Sequence, residues 1–136
     1  MSLNGTQLKS RDVAAIAYKA GWHHVTQLGI AVAVCTAESS RYTEAINTDN
    51  PDGSIDYGLW QINSKHFGQT LGGHYVNEAA CYDPATCAAI AHALQKKQGW
   101  SPWAAYTSAR YLDALPGALN GIRYWQLLVH GLPLPA

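Results

Sequence analysis

Apolar residues recur at helical spacing along most of the chain, and turn-forming residues cut that pattern into segments. Val13, Ala14, Ile16 and Ala17 share one face of a helix predicted over residues 11–20, with Ser10 where a cap belongs and Gly21 where the helix stops. A second helix is predicted over 24–39. Its centre, Leu28-Gly29-Ile30-Ala31-Val32-Ala33-Val34, is apolar on every side, which marks a helix inside a core rather than on a surface. Glu38 stands at its C-terminal end.

The pattern then changes. Asn47-Thr48-Asp49-Asn50-Pro51-Asp52-Gly53-Ser54 is a dense turn signal, and Asp52-Gly53 between Ile46 and Ile55 predicts a small antiparallel hairpin. A short helix is predicted over 61–66, and 69–75 reads as a Gly-rich loop. Asp83-Pro84 is a helix start, since Asp caps and Pro fits the first turn. That helix runs over 84–98 to Gly99, with Lys96 and Lys97 suiting its C-terminal dipole. Ser101-Pro102 repeats the signal and opens a helix through Leu112. Pro116-Gly117 is read as a break, 119–129 as the last helix and 132–136 as a Pro-containing tail. The sum is an α+β fold, mostly helical with one small β element, in a single domain over 1–136 without repeats or linker.

Composition narrows the function classes. Hydrophobic residues make up 48% of the 136 and charged residues 13%, which is the balance of a folded chain with a real core. Nine basic and nine acidic residues cancel, and only Lys96-Lys97 are adjacent basics, so no nucleic-acid stripe is present. The most apolar stretch, 28–37, is too short to cross a membrane, where about 20 residues are needed. The first ten residues are polar, and no signal peptide is read there. Cys81 and Cys87 are either a local disulfide or two free thiols. Cys35, inside the apolar helix, is expected as a packing residue. An odd count does not suit a full disulfide scaffold.

A carboxylic acid set against apolar surface is held protonated to higher pH and becomes a proton donor near neutrality. Glu38 fits that design, although a solvated glutamate at a helix end is the plainer alternative for a lone Glu. Three segments supply context. They are Ala37-Glu38-Ser39, Asp56-Tyr57-Gly58-Leu59-Trp60-Gln61-Ile62-Asn63-Ser64, and Trp103-Ala104-Ala105-Tyr106 within 99–108. Together they resemble the lysozyme superfamily. The middle run is similar to the hairpin-to-helix segment of animal c-type lysozymes and of lytic transglycosylase-like domains from bacteria and phages.

The resemblance implies cleavage of the β-1,4 bond between N-acetylmuramic acid and N-acetylglucosamine in peptidoglycan. It implies Glu38 as the catalytic acid and Asp56 as the second carboxylate. It places Gln61 and Asn63 at sugar contacts, Trp103 as the apolar wall beside Glu38, and Tyr106 where the transglycosylase branch has a site tyrosine. Core packing is the competing reading for Trp103 and Tyr106. The chain lacks the four disulfides of animal lysozymes and is slightly longer between Glu38 and Asp56, which moves it toward the bacterial and phage branch. There the second carboxylate is often dispensable.

Hydrolysis is favoured over a transglycosylase that leaves 1,6-anhydro ends, because Asp56 is present. A non-catalytic glycan-binding module is the alternative from another class, and Glu38 in its Glu-Ser context opposes it. The expected setting is a phage lysin, made in the host cytoplasm and acting at the cell wall, or a domain of a longer exported protein. The partner is the glycan strand, with no nucleic acid, no membrane, no cofactor, no metal, and a monomeric state. The 50–56 run resembles the middle of an EF-hand loop, but Thr48 and Leu59 stand where its anchoring acids belong, and a hairpin turn explains the same residues. His66, His74, Cys81 and Cys87 lack zinc spacing. Ser39, Ser40 and Ser64 lack a nucleophile-elbow motif.

Overall fold

The computed structural model describes residues 1–130, apart from the His130 side chain, so the predicted tail lies outside the described residues. Among the described residues there are six α-helices and two small antiparallel sheets. The order is α1 (Ser10–Ala20), α2 (Val25–Ser39), β1 (Ile46–Asn47), β2 (Asp56–Tyr57), β3 (Ile62–Asn63), a 3-10 turn (Ser64–His66), β4 (Thr70–Leu71), β5 (His74–Tyr75), α3 (Glu78–Tyr82), α4 (Pro84–Gln98), α5 (Ala104–Thr107) and α6 (Tyr111–His130). This is the α+β class that the sequence predicts.

α2 is the hub. Leu28, Ala31, Val32, Ala33, Val34 and Cys35 are all buried, as an all-round apolar helix requires. α6 and α1 cover it on one side. α6 meets α1 closely at Gly121, where any side chain would collide with Ser10. Burying Ala118 and Ile122 fixes that packing.

Several boundaries depart from the pattern, each for a local reason. Ser10 is the first residue of α1 rather than its cap. The preceding Lys9 holds the cap position, and its N–H donates to Asp12 Oδ2 at 3.2 Å. Asp83 caps α4 as expected, accepting the Thr86 N–H at 3.0 Å. The helix expected from Ser101 to Leu112 is instead the short α5. Ala109 adopts a left-handed φ of 64°, which ends one helix and lets Tyr111 begin another. Pro116 does not break the chain but sits inside α6. A Pro in a helix interior costs about 3 kcal/mol in lost hydrogen bond and strain, and Pro116 bears that cost on the exposed side of α6. The stripe of Leu115, Ala118, Ile122 and Trp125 packs on the core, and each large apolar side chain buried there returns about 1.5–3 kcal/mol.

The hairpin is present, with Ile46 opposite Tyr57 and Asn47 opposite Asp56. A third strand extends it: Ile62 pairs with Tyr57 and Asn63 with Asp56. Residues 61–63 are therefore not helical, and only Ser64–His66 form a 3-10 turn. The Gly-rich loop is itself a hairpin, β4–β5, turning on Gly72 and Gly73 at positive φ. α3, capped by Asn77, was not expected from the pattern. The N-terminal segment runs along 41–46 and protects the edge of β1, with Ser2 and Ile46 exchanging two backbone hydrogen bonds.

Cys35, Cys81 and Cys87 are buried free thiols, so the disulfide alternative for Cys81 and Cys87 is corrected. Burial pushes the Cys35 and Cys81 thiols up to about 12 and Cys87 higher still, so none is a nucleophile.

Candidate active site

A cleft opens between the C-terminal end of α2, the three-stranded sheet and the 102–104 segment. Glu38, Asp56, Gln61, Asn63 and Trp103 all line it. Three distant stretches of chain meet there because α2 ends at its wall, β2 and β3 form its floor, and the turn before α5 closes its far side.

Glu38 is placed by the last turn of α2. Its side chain keeps only 13% of its exposure. Oε1 accepts the Ala105 N–H at 3.0 Å, and Arg110 Nη2 lies 3.7 Å from the same oxygen. Burial raises the Glu38 pKa above its ordinary 4.5. The Ala105 N–H and Arg110 oppose that rise, and the charge of Asp56 adds to it. The outcome is an acid that keeps its proton into a higher pH range than a solvated glutamate.

The apolar wall is built from tryptophan. Trp103 is 2% exposed, and its indole N–H donates to the Trp60 carbonyl at 2.8 Å. Its ring packs on Trp100 at 5.2 Å between centroids, and Trp100 stacks on Trp22 at 5.6 Å. Trp22 also packs on Trp60. Every indole N–H in this cluster has an acceptor: Gln95 for Trp22, Gln27 for Trp100 and the Ala31 carbonyl for Trp60. Buried indoles without partners would be costly.

Asp56 faces the cleft from β2 in opposite surroundings. Oδ1 accepts from Asn63 Nδ2 at 2.9 Å, and Oδ2 accepts from Asn50 Nδ2 at 3.0 Å and Asn47 Nδ2 at 3.2 Å. Asn63 serves three times, since its Nδ2 also donates to Ser54 Oγ at 2.9 Å and its Oδ1 takes the Lys65 N–H that opens the 3-10 turn. The EF-hand-like residues are thus occupied within the hairpin. Asn50 binds Asp56, and Asp52 accepts the Ser54 N–H.

Gln61 adopts a left-handed φ of 51° and is buried. Its amide NH2 is fixed on the carbonyls of Ala45 and Gly58, at 3.1 and 3.0 Å. That leaves Oε1 buried with no partner, as is His66 Nδ1 on the same cleft. Gly58 makes this strand exchange possible. Its φ is +82°, and a methyl there would overlap the Cys81 carbonyl oxygen. Tyr106 lies outside the cleft lining; its ring is stacked between Trp100 and Tyr111, at 6.1 and 4.9 Å.

Sequence reasoning missed Asn47 and Asn50 as holders of Asp56, and it missed Arg110. Asn47 was visible only as a turn former, and Asn50 as a turn former within the EF-hand-like run. Their alternation with Asp56 across a hairpin was the available signal. Arg110 carried none, because its approach to Glu38 depends on the left-handed Ala109.

Comparison with known proteins agrees with this arrangement. The sequence model of a family described as "Lysozyme like domain" matches residues 14–105, a span that holds both carboxylates and the tryptophan wall. Lysozyme P of Drosophila melanogaster is 28% identical over 111 residues, covering 74% of this chain and 79% of that protein. A lysozyme of Antheraea mylitta is 36% identical over 77 residues, 48% of this chain and 62% of that protein. The matched span covers more than half of the sequence and contains the cleft, and the chain belongs to the lysozyme-like domain family.

Proposed function

We propose that the protein is a muramidase that cleaves the β-1,4 bond between N-acetylmuramic acid and N-acetylglucosamine in peptidoglycan. The observation that supports this best is the pairing of unlike carboxylates across one cleft: Glu38 largely buried at the end of α2, Asp56 in an amide cradle. Glu38 donates its proton to the glycosidic oxygen as the bond to the anomeric carbon breaks. The sugar ring develops oxocarbenium character, and the Asp56 carboxylate stabilises that charge. Glu38, now ionised, takes a proton from the incoming water, which adds to the anomeric carbon. Gln61 and Asn63 line the floor on which the sugar rests, and Trp103 keeps the acid dry.

One observation favours a second reading. Both Asp56 oxygens are engaged by asparagine amides. A carboxylate so occupied is a weaker nucleophile than a free one, which suits a route assisted by the substrate's own acetamido group. In a lytic transglycosylase the muramic 6-hydroxyl replaces water and leaves a 1,6-anhydro end. Mass spectrometry of digested peptidoglycan separates the two: hydrolysis gives reducing muramic ends, and products lighter by one water would replace our reading with the second. For the setting we propose a phage lysin acting at the host cell wall as a monomer. The resemblance to the bacterial and phage branch and the unbridged cysteines support this.

A further inference from the structure

Outside the residues implied by family resemblance, one charged side chain among the described residues pairs with Glu38. We propose that Arg110 is a positioning residue for Glu38: it holds Oε1 as the charge-bearing oxygen, so that the transferable proton resides on Oε2. This rests on the reading of Glu38 as the acid.

Three observations support it. First, the Ala105 N–H and the Arg110 guanidinium both converge on Oε1, at 3.0 and 3.7 Å. Among the described residues none hydrogen-bonds Oε2. A protonated carboxyl places its hydrogen on the oxygen that is not facing donors, so the proton is directed to one atom. Second, Arg110 is itself aimed. Its Nε–H donates to Ser108 Oγ at 3.2 Å. Third, the turn that delivers it carries Ala109 in the left-handed region, at φ 64°. A non-glycine residue there is strained by about 1–3 kcal/mol, a cost that recurs where function demands a geometry.

The other charged and titratable groups around Glu38 do not duplicate this. Asp56, from β2, pushes the acid the opposite way. Lys65 and His66, from the 3-10 turn, line the same cleft without a hydrogen bond or ion pair to Glu38. On its own helix and exit, Cys35 is a buried neutral thiol, and Arg41 is occupied by the Leu8 carbonyl and the Thr36 hydroxyl. Arg110 is therefore the one side chain that joins the Ala105 N–H in tempering burial. An acid that must give a proton and then take one back works best with its pKa near the working pH. Burial alone drives it upward, and a half-exposed guanidinium brings it partway down.

The test is the pH–rate profile of strand cleavage in Arg110→Gln, Arg110→Lys and Ser108→Ala, with kcat and KM resolved. A contact of this exposure predicts an alkaline limb about half a pH unit higher in Arg110→Gln. The Lys variant stays near wild type, and Ser108→Ala shifts less in the same direction. High salt moves the wild-type limb toward the Gln value and leaves the Gln variant in place. A folded Arg110→Gln protein with an unmoved limb overturns the proposal. So does a rise in KM alone, which would make Arg110 a substrate contact. Should Arg110→Gln not fold, Ser108→Ala with an unmoved limb overturns it equally. Carbon-13 NMR titration of the Glu38 carboxyl reads the same shift without turnover. An inactive wild type whose Glu38 titration still moves in the variants sinks the enzymatic reading alone, whereas an active wild type with an unmoved titration sinks the Arg110 pairing alone.

Discussion

The two walls of the cleft treat a carboxylate in opposite ways. On the helical side Glu38 is nearly buried in the cleft that Trp103 also lines, with a single backbone N–H and one half-exposed arginine. On the sheet side Asp56 is surrounded by the amides of Asn47, Asn50 and Asn63. Nothing in the two side chains themselves distinguishes an acid from a stabiliser of positive charge. Surroundings make the distinction: burial favours the neutral, proton-giving form, and a ring of amide donors holds a carboxylate in one orientation.

The contrast can be broken from either side. The largest effect is expected for Glu38→Gln, which preserves shape and removes the proton. Cleavage should fall by about a thousandfold with an unchanged circular dichroism spectrum, and a variant that still clears a peptidoglycan gel at full rate would remove Glu38 from the mechanism. Next is Gly58→Ala, which forces a side chain into a left-handed backbone against the Cys81 carbonyl. We expect a loss of about 3 kcal/mol in urea unfolding, because no flexible side chain can move aside. Asp56→Asn should lower kcat by about tenfold to a hundredfold with little change in stability. An unchanged kcat would transfer its role to the substrate's acetamido group.

The subtlest effect sharpens the comparison through stability. The folded-state pKa of Glu38 is raised above its ordinary 4.5, so the folded protein holds this proton more tightly than the unfolded chain. Stability from this group is therefore full below about pH 4.5 and declines as pH rises through the raised value. Glu38→Gln should melt higher than wild type at neutral pH, and the gap should close on acidification. A constant gap would mean that the charge of Glu38 is not what burial penalises.

Much of this was legible in the sequence, and the divide is physical. The apolar run 28–34 announced the buried hub, and Asp83-Pro84 announced α4, because both signals are local. The run 56–64 marked the cleft floor, since its similarity to known sequences preserves a whole strand-and-turn unit. What escaped reading depends on tertiary context. Pro116 and Gly117 look like a break until α1 and α2 pack on the helix that contains them. Strands of two residues have no periodicity to detect. Ala109 gives no hint of a left-handed conformation, so neither the end of α5 nor the approach of Arg110 to Glu38 was foreseeable.

The tryptophan wall has an optical consequence. Trp103 touches the cleft, and ring contacts run from it through Trp100 to Trp22 and on to Trp60. Emission excited in any of these indoles is exchanged among neighbours at such separations, so the protein's fluorescence reports largely on the surroundings of one cluster. Sugar settling beside Trp103 alters those surroundings at one end. The protein therefore carries its own unlabelled probe of cleft occupancy, readable even in a variant that cannot break the bond.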